Sequence, residues 1–247
     1  FYSINKNIYL ENNFITINKG QKIESVLKNY IKDDSKINIF FIKLYYVIQN
    51  STFDKYIHYG DFYLEKKTTI IELINTISKP SNILNKITII EGWSENNFEI
   101  ELTKYFKKSK KILYEEIIAD TYFYEKNQDF QSFRLKLINI KNKYFNKFKN
   151  NEILKSYTIK EIITISSLIE KEGFDNEDKR KISSVIFNRL NNNMKLQIDA
   201  SVIFAITNGK YDLNRKLFLS DLKIDHPYNT YKYHGLPPNP ISFVGRN

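Results

Sequence analysis

The stretch from Thr158 to Leu190, TIKEIITISSLIEKEGFDNEDKRKISSVIFNRL, decides how the rest of the chain is read. It predicts two helices broken at Gly173. Thr158 followed by Glu161 has the spacing of a capping box, in which hydroxyl and carboxylate each satisfy an N–H group at the helix start, so the first helix begins there. Ile162, Ile165 and Ile169 recur at helical spacing and form one apolar stripe. Glu170-Lys171-Glu172-Gly173 ends the helix, with Gly173 as the expected left-handed stop. The second helix opens in the acidic run Asp175 to Asp178, where negative charge meets the positive end of the helix dipole. It is expected to bury Ile182, Val185, Ile186 and Leu190 and to show Asn188-Arg189 near its end.

Glu170 and Glu172 stand two positions apart, so they point about 200° apart around the helix axis. Each flanks the apolar stripe. A carboxylate on such a flank can be partly desolvated and kept protonated, which a general acid requires. The same spacing also describes a solvated helix end carrying charges, and it does not choose between the two glutamates.

Composition narrows the classes. The chain has 247 residues, enough for one large or two modest domains. A hydrophobic content of 42% with 15% aromatics describes a folded chain. Without cysteine there is no disulfide, thiolate metal site or thiol nucleophile. The formal charge is +10, but the excess is nearly all lysine spread along the chain beside abundant Asn and Ile. That pattern reads as a coding bias rather than a nucleic-acid footprint, so no specific nucleic-acid partner is expected. No apolar run approaches the roughly 20 residues of a membrane span. His226 and His234 lie eight positions apart near Asp225 without a metal-binding motif, so no metal is expected. No Gly-rich phosphate loop or G-x-S-x-G word is present, and no cofactor is expected.

The fold expected is α+β: a small N-terminal strand–helix module over residues 1–83, then a larger mixed α+β domain over residues 84–247. In the first, Phe14 to Ile17 alternates like a strand and Asn18-Lys19-Gly20 turns. Ile23 to Ile31 follows at helical spacing. A second helix over about 37–48 is expected to face Phe40, Phe41, Leu44, Val47 and Ile48 inward. Phe62-Tyr63-Leu64 reads as a strand, and Thr68 or Thr69 as the cap of a helix carrying Ile70, Leu73, Ile74 and Ile77. In the second part, Ile87 to Ile90 reads as a strand, Phe98 to Phe106 and Phe130 to Phe148 as helices, and Lys104 to Lys111 as a solvated basic run. Trp93, the one tryptophan, reads as a core residue or as a plate for a sugar ring. Asn191 to Gln197 is expected to turn into a short strand. Asp199 is expected to cap a helix that stops near Asn208-Gly209. Residues 225–238 form a Pro-bounded loop in which Asn229 offers donor and acceptor and the tyrosines offer flat faces with a hydroxyl.

Several words then agree in order: SSLIEKEG, SSVIFNRL, MKLQIDASVIFAI and HPYNTYKYHGLPPNPI, over roughly residues 158–241. Together they resemble the YceG-like (MltG) family of membrane-anchored endolytic murein transglycosylases. The resemblance implies lytic cleavage of peptidoglycan glycan strands, and it selects Glu170, the first glutamate of I-E-K-E, as the catalytic acid/base. It also implies that Arg189, Gln197, Asp199, Tyr228, Asn229, Thr230 and Tyr231 contact substrate. Glu91-Gly92-Trp93 matches a further family word. Asp120-Thr121-Tyr122 matches another in part, with Ala119 where the family has proline. The N-terminal words are similar to a LysM-like carbohydrate-binding module.

By the same resemblance the partners are peptidoglycan and wall synthases, and an anchor upstream of Phe1 would place the protein on the inner membrane with its catalytic domain outside. Against the family pattern the chain is expected to be cut short at its C-terminus. The alternative function is a weak or inactive peptidoglycan-binding scaffold.

Overall fold

The computed structural model describes residues 7–31, 39–53, 56–107, 110–125 and 128–246. The architecture is α+β, as expected, and the chain divides into two compact units: residues 1–86 with 123–128, and residues 87–122 with 129–247.

In the first unit, β1 (Asn7–Tyr9) pairs antiparallel with β4 (Lys67–Thr69), placing Ile8 opposite Thr68. The strand β2 (Phe14–Ile17) pairs antiparallel with β3 (Gly60–Tyr63), placing Ile15 opposite Phe62. Between β2 and β3 the chain forms α1 (Ile23–Tyr30) and α2 (Ile39–Phe53). After β4 comes α3 (Ile70–Ile77), capped by Thr69, whose hydroxyl accepts from Glu72 N at 3.2 Å while the Glu72 carboxylate accepts from Thr69 N at 3.0 Å. Ile8, Ile15, Val26, Phe62, Ile70, Leu73 and Ile74 are wholly buried in one core. Each such side chain contributes about 1.5–3 kcal/mol.

The helix α2 faces the other way from its sequence reading. Phe40, Leu44, Val47 and Ile48 are exposed, while Ile42 is buried and Tyr45 and Tyr46 pack against the core. The segment is apolar on every side, so its periodicity does not single out a face. Ile37, the side chain of Phe41, and Lys108 and Ser109 of the basic run lie outside the described residues.

The strands β5 (Asn85–Thr88) and β6 (Thr121–Tyr124) form a third two-stranded pair, and the boundary between the units falls within both. The second unit holds α4 (Glu95–Thr103), α5 (Phe130–Asn146), α6 (Glu152–Ser156), α7 (Ile159–Glu172), α8 (Asn176–Asn191) and α9 (Asp199–Thr207). Ile165, Leu168, Ile186, Leu196, Ile198 and Ile241 bind α7, α8 and α9 into one core. Phe98, Tyr114 and Phe243 form an aromatic cluster, with Phe243 edge-on to both at 5.1 and 4.9 Å between ring centres.

The last residues are structural. Ile241 N donates to Ser167 Oγ at 3.0 Å. Phe243 exchanges backbone hydrogen bonds with Trp93 and Gly92, at 2.9 and 2.8 Å, and Val244 O accepts from Ala119 N at 2.7 Å. These bonds tie the end of the chain to α7, to the loop that follows β5 and to the segment that leads into β6. Two local expectations are corrected. Residues 192–198 contain no strand, and Gln197 takes a positive φ of 53° that interrupts extended backbone. Val185 is 49% exposed, because only Ile186 on that stretch of α8 points squarely at α7. Among the described residues no helix is long and apolar enough to cross a membrane.

Candidate active site

The α7–α8 hairpin builds the site. The capping box at the start of α7 is present: Thr158 Oγ1 accepts from Glu161 N at 3.2 Å, and Glu161 Oε2 accepts from Thr158 N at 2.8 Å. The helix then runs unbroken to Glu172, which places Glu170 in its last turn. Asp175 caps α8 by accepting from Glu177 N at 2.8 Å and Asp178 N at 2.9 Å. That start brings Lys179, in the first turns of α8, back over the end of α7.

Gly173 makes this return possible, though not by a left-handed turn. Its backbone is extended, with φ −87° and ψ 130°. A Cβ there would lie 2.6 Å from Lys179 Cγ, closer than two carbons can pack. The glycine is therefore required by the approach of Lys179, a contact across two helices that local sequence does not show.

Lys179 Nζ donates to Glu170 Oε2 at 2.6 Å and lies 3.5 Å from Glu91 Oε2. The Glu170 side chain is 5% exposed, that of Lys179 18% and that of Glu91 38%. Burial raises the Glu170 carboxyl above its ordinary value; the hydrogen bond and charge of Lys179 pull the other way, and the like charge of Glu91 adds to the rise. Burial works against the Lys179 ammonium, but its bond to Glu170 and the charges of both glutamates outweigh this and raise its pKa.

Glu170 opens onto a groove of about 620 Å³ lined by Ser166, Ile169, Asn176, Lys179, Arg180, Ser183 and Ser184. Hydroxyl, amide and guanidinium groups thus surround one nearly buried carboxyl, a lining suited to a polyhydroxyl ligand. Sequence reading quoted Glu91 and the serines only as parts of family words, and gave no site role to them, to Lys179 or to Arg180. Glu91 is remote along the chain, and Lys179 is only the first of three successive cations, Lys179-Arg180-Lys181, that follow an acidic run. Glu172 plays a different part: its carboxylate accepts from Ala200 N at 3.1 Å, serving the start of α9.

The other residues singled out from sequence gather around the start of α9, away from the groove lining. The α9 start is not capped by Asp199, whose carboxylate instead accepts from Tyr231 Oη at 2.6 Å. That bond, then burial, pushes the Tyr231 phenol up to about 12. Asn229 is wholly buried. Its amide donates to Leu222 O at 3.0 Å and Ile224 O at 2.8 Å, and its oxygen accepts from Tyr231 N at 3.0 Å. Thr230 Oγ1 accepts from Ile198 N at 2.9 Å and bonds Ser201 Oγ at 2.8 Å. Gln197 N donates to Thr230 O at 3.1 Å while its side chain is exposed. Tyr228 packs on Phe204 and its hydroxyl accepts from Asn239 at 3.0 Å. Arg189 donates to Leu196 O. These residues hold the 225–238 loop in one shape. Trp93 is half-buried, between the two readings of it. Among the described residues no three His, Asp or Glu side chains converge as metal ligands.

A model of the YceG-like family matches residues 15–247. The chain belongs to the YceG-like family. Among curated relatives it is similar to the endolytic murein transglycosylase of Bacillus subtilis (strain 168), with 39% identity over 104 residues that cover 42% of this chain and 28% of the relative. It is also similar to the endolytic murein transglycosylase of Streptococcus pneumoniae serotype 2, with 43% identity over 90 residues, 35% of this chain and 16% of the relative. The matched part thus spans less than a third of the length of these relatives. A solved yceG-like protein from Listeria monocytogenes shares the fold, with a TM-score of 0.56 and 24% identity, covering 94% of this chain and 86% of that one.

Proposed function

We propose that this chain is the catalytic part of an endolytic peptidoglycan lytic transglycosylase, with Glu170 as its single acid/base. The observation that carries the reading is one nearly buried glutamate at the wall of an open polar groove, in a family whose curated relatives are named murein transglycosylases. In the proposed reaction, protonated Glu170 gives its proton to the glycosidic oxygen between MurNAc and GlcNAc as the C–O bond breaks. The resulting carboxylate takes the proton of the MurNAc 6-hydroxyl, whose oxygen attacks the anomeric carbon. The product is a 1,6-anhydromuramic end and no water is added. A tethered nucleophile supplies proximity that a second carboxylate would otherwise have to organise for water.

In this account Ser166, Arg180, Ser183 and Ser184 meet the glycan beside Glu170. Gln197, Asp199 and Tyr231 extend the contact from the α9 side, while Arg189, Tyr228, Asn229 and Thr230 hold that surface in shape. The first unit supports an auxiliary role. The groove between its β2–α1 turn and the segment after α2, about 590 Å³, is lined by Tyr46, Tyr56 and Tyr59, and flat aromatic faces suit pyranose rings. A LysM-like glycan contact there is part of the proposal, as are wall-synthase partners and an envelope location through an upstream anchor.

A hydrolytic reading has one observation in its favour: Glu91 shares Lys179 with Glu170 and would be the second carboxylate. Incubation with uncrosslinked glycan strands decides between them. Anhydro-ended fragments support the lytic reading, and fragments heavier by one water support the hydrolase. Binding without cleavage would leave the scaffold reading.

A further inference from the structure

Lys179 is held between two carboxylates by an arrangement that costs the chain two glycines. On one side, Gly173 leaves room for the Lys179 stem, since a Cβ would meet Lys179 Cγ at 2.6 Å and Lys179 Cα at 3.3 Å. On the other, a Cβ on Gly245 would overlap the Glu91 carboxylate. The loop carrying Glu91 is fixed by the backbone bonds of Gly92 and Trp93 to Phe243. Neither carboxylate is therefore placed by chance, and the ammonium spans them at 2.6 and 3.5 Å.

Resting on the reading of Glu170 as acid/base, we propose that Lys179 and Glu91 form a counter-ion switch for it. With Lys179 on Glu170, the ammonium favours the ionised carboxylate, the form that cannot act as an acid. When the ammonium moves to Glu91, Glu170 loses its counter-ion and takes a proton from solvent, which makes it competent to protonate the glycosidic oxygen. Lys179 and Glu91 are thus positioning residues, acting through Glu170 and not on substrate. The move is short, because a lysine head group travels on a flexible four-carbon stem.

The other charged groups nearby leave this pair as the control. From α8, Arg180 lines the same groove. From the C-terminal segment, Arg246 pairs with Asp120. On α7 itself Lys171 is exposed and Glu172 is bonded to Ala200 N. Among the described residues, Lys179 contacts both Glu170 and Glu91, at 2.6 and 3.5 Å.

The test is a ¹³C-carboxyl NMR titration of the glutamate-labelled chain, with the Glu170 signal assigned by its loss in Glu170→Gln. Lys179→Met removes the opposite charge, and the Glu170 midpoint is expected to move up by about one pH unit or more. Glu91→Gln removes the alternative partner and the like charge, and the midpoint is expected to move down. Lys179→Arg keeps the charge and should stay close to the parent. Midpoints that do not move, or that move in the same direction in Lys179→Met and Glu91→Gln, overturn the proposal. Should Lys179→Met not fold, Glu91→Gln against Lys179→Arg carries the test alone. The alkaline limb of kcat/KM should follow the same directions. A parent that yields no anhydro product while the midpoints move as stated overturns the proposed function and not the switch. Product with unmoved midpoints overturns the switch alone.

Discussion

Lys179 Nζ lies 2.6 Å from Glu170 Oε2, on a carboxylate side chain that is only 5% exposed. Burial dominates and holds the Glu170 carboxyl above its ordinary value of 4.5. A general acid works only while protonated, so kcat/KM is expected to fall as pH rises through the Glu170 pKa, with the descending limb displaced upward from that of an ordinary glutamate. A pH profile of glycan cleavage checks this. The sign for stability is the same: the folded chain binds this proton more tightly than the unfolded chain, so Glu170's contribution declines as pH rises from its unfolded value through its folded one. Asp221 behaves oppositely. The bond from Arg215, then that from Phe218 N, keeps it low, and its contribution is lost as pH falls through its folded pKa.

Glu172→Ala separates the two glutamates that sequence spacing could not. Its carboxylate serves Ala200 N at the start of α9. Removing it is expected to cost about 1 kcal/mol, typical of a lost N-terminal cap, read as a lower urea midpoint. The alkaline limb of the pH profile should stay where it is.

Gly173→Ala places a methyl against Lys179 Cγ. The two helices must part or Lys179 must turn, and overpacking of this kind costs about 1–3 kcal/mol. Thermal unfolding checks the stability, and cleavage should fall further than the same loss of stability produces elsewhere, because Lys179 is displaced from Glu170.

Asn229→Ala and Gln197→Ala divide the loop into framework and surface. Asn229 is buried with three hydrogen bonds, and its loss leaves carbonyls and an N–H without partners, at about 2 kcal/mol or more. Gln197 has an exposed side chain, and its truncation should change stability by less than about 0.5 kcal/mol while raising KM for glycan. Equal effects on stability in the two variants would contradict this division.

Much of this was legible where the cause is local. The box at Thr158, a cap at Thr68 or Thr69, the opening of α8 in the acidic run from Asp175 and the stop of α9 near Asn208 follow from residue types a few positions apart. The inward face of α2 was not, because a segment apolar all round has no preferred side until its neighbours exist. Asp199 looked like a cap because acid precedes a helix, yet Tyr231 binds it and Glu172 reaches the free N–H instead. The charged neighbours of Glu170 were hidden for a related reason. Glu91 is brought in by the loop after β5 and the end of the chain, and its Glu-Gly-Trp word alone does not show that it reaches Lys179.

The central claim is that Glu170 is the proton donor. The direct measurement is the mass of fragments released from uncrosslinked glycan strands by the parent chain and by Glu170→Gln, whose side chain keeps the shape but carries no acid proton. The account predicts anhydro-ended fragments from the parent and a loss of at least about 100-fold in the variant, the lower end of what a positioned general acid supplies. Undiminished release of the same fragments by Glu170→Gln would contradict it.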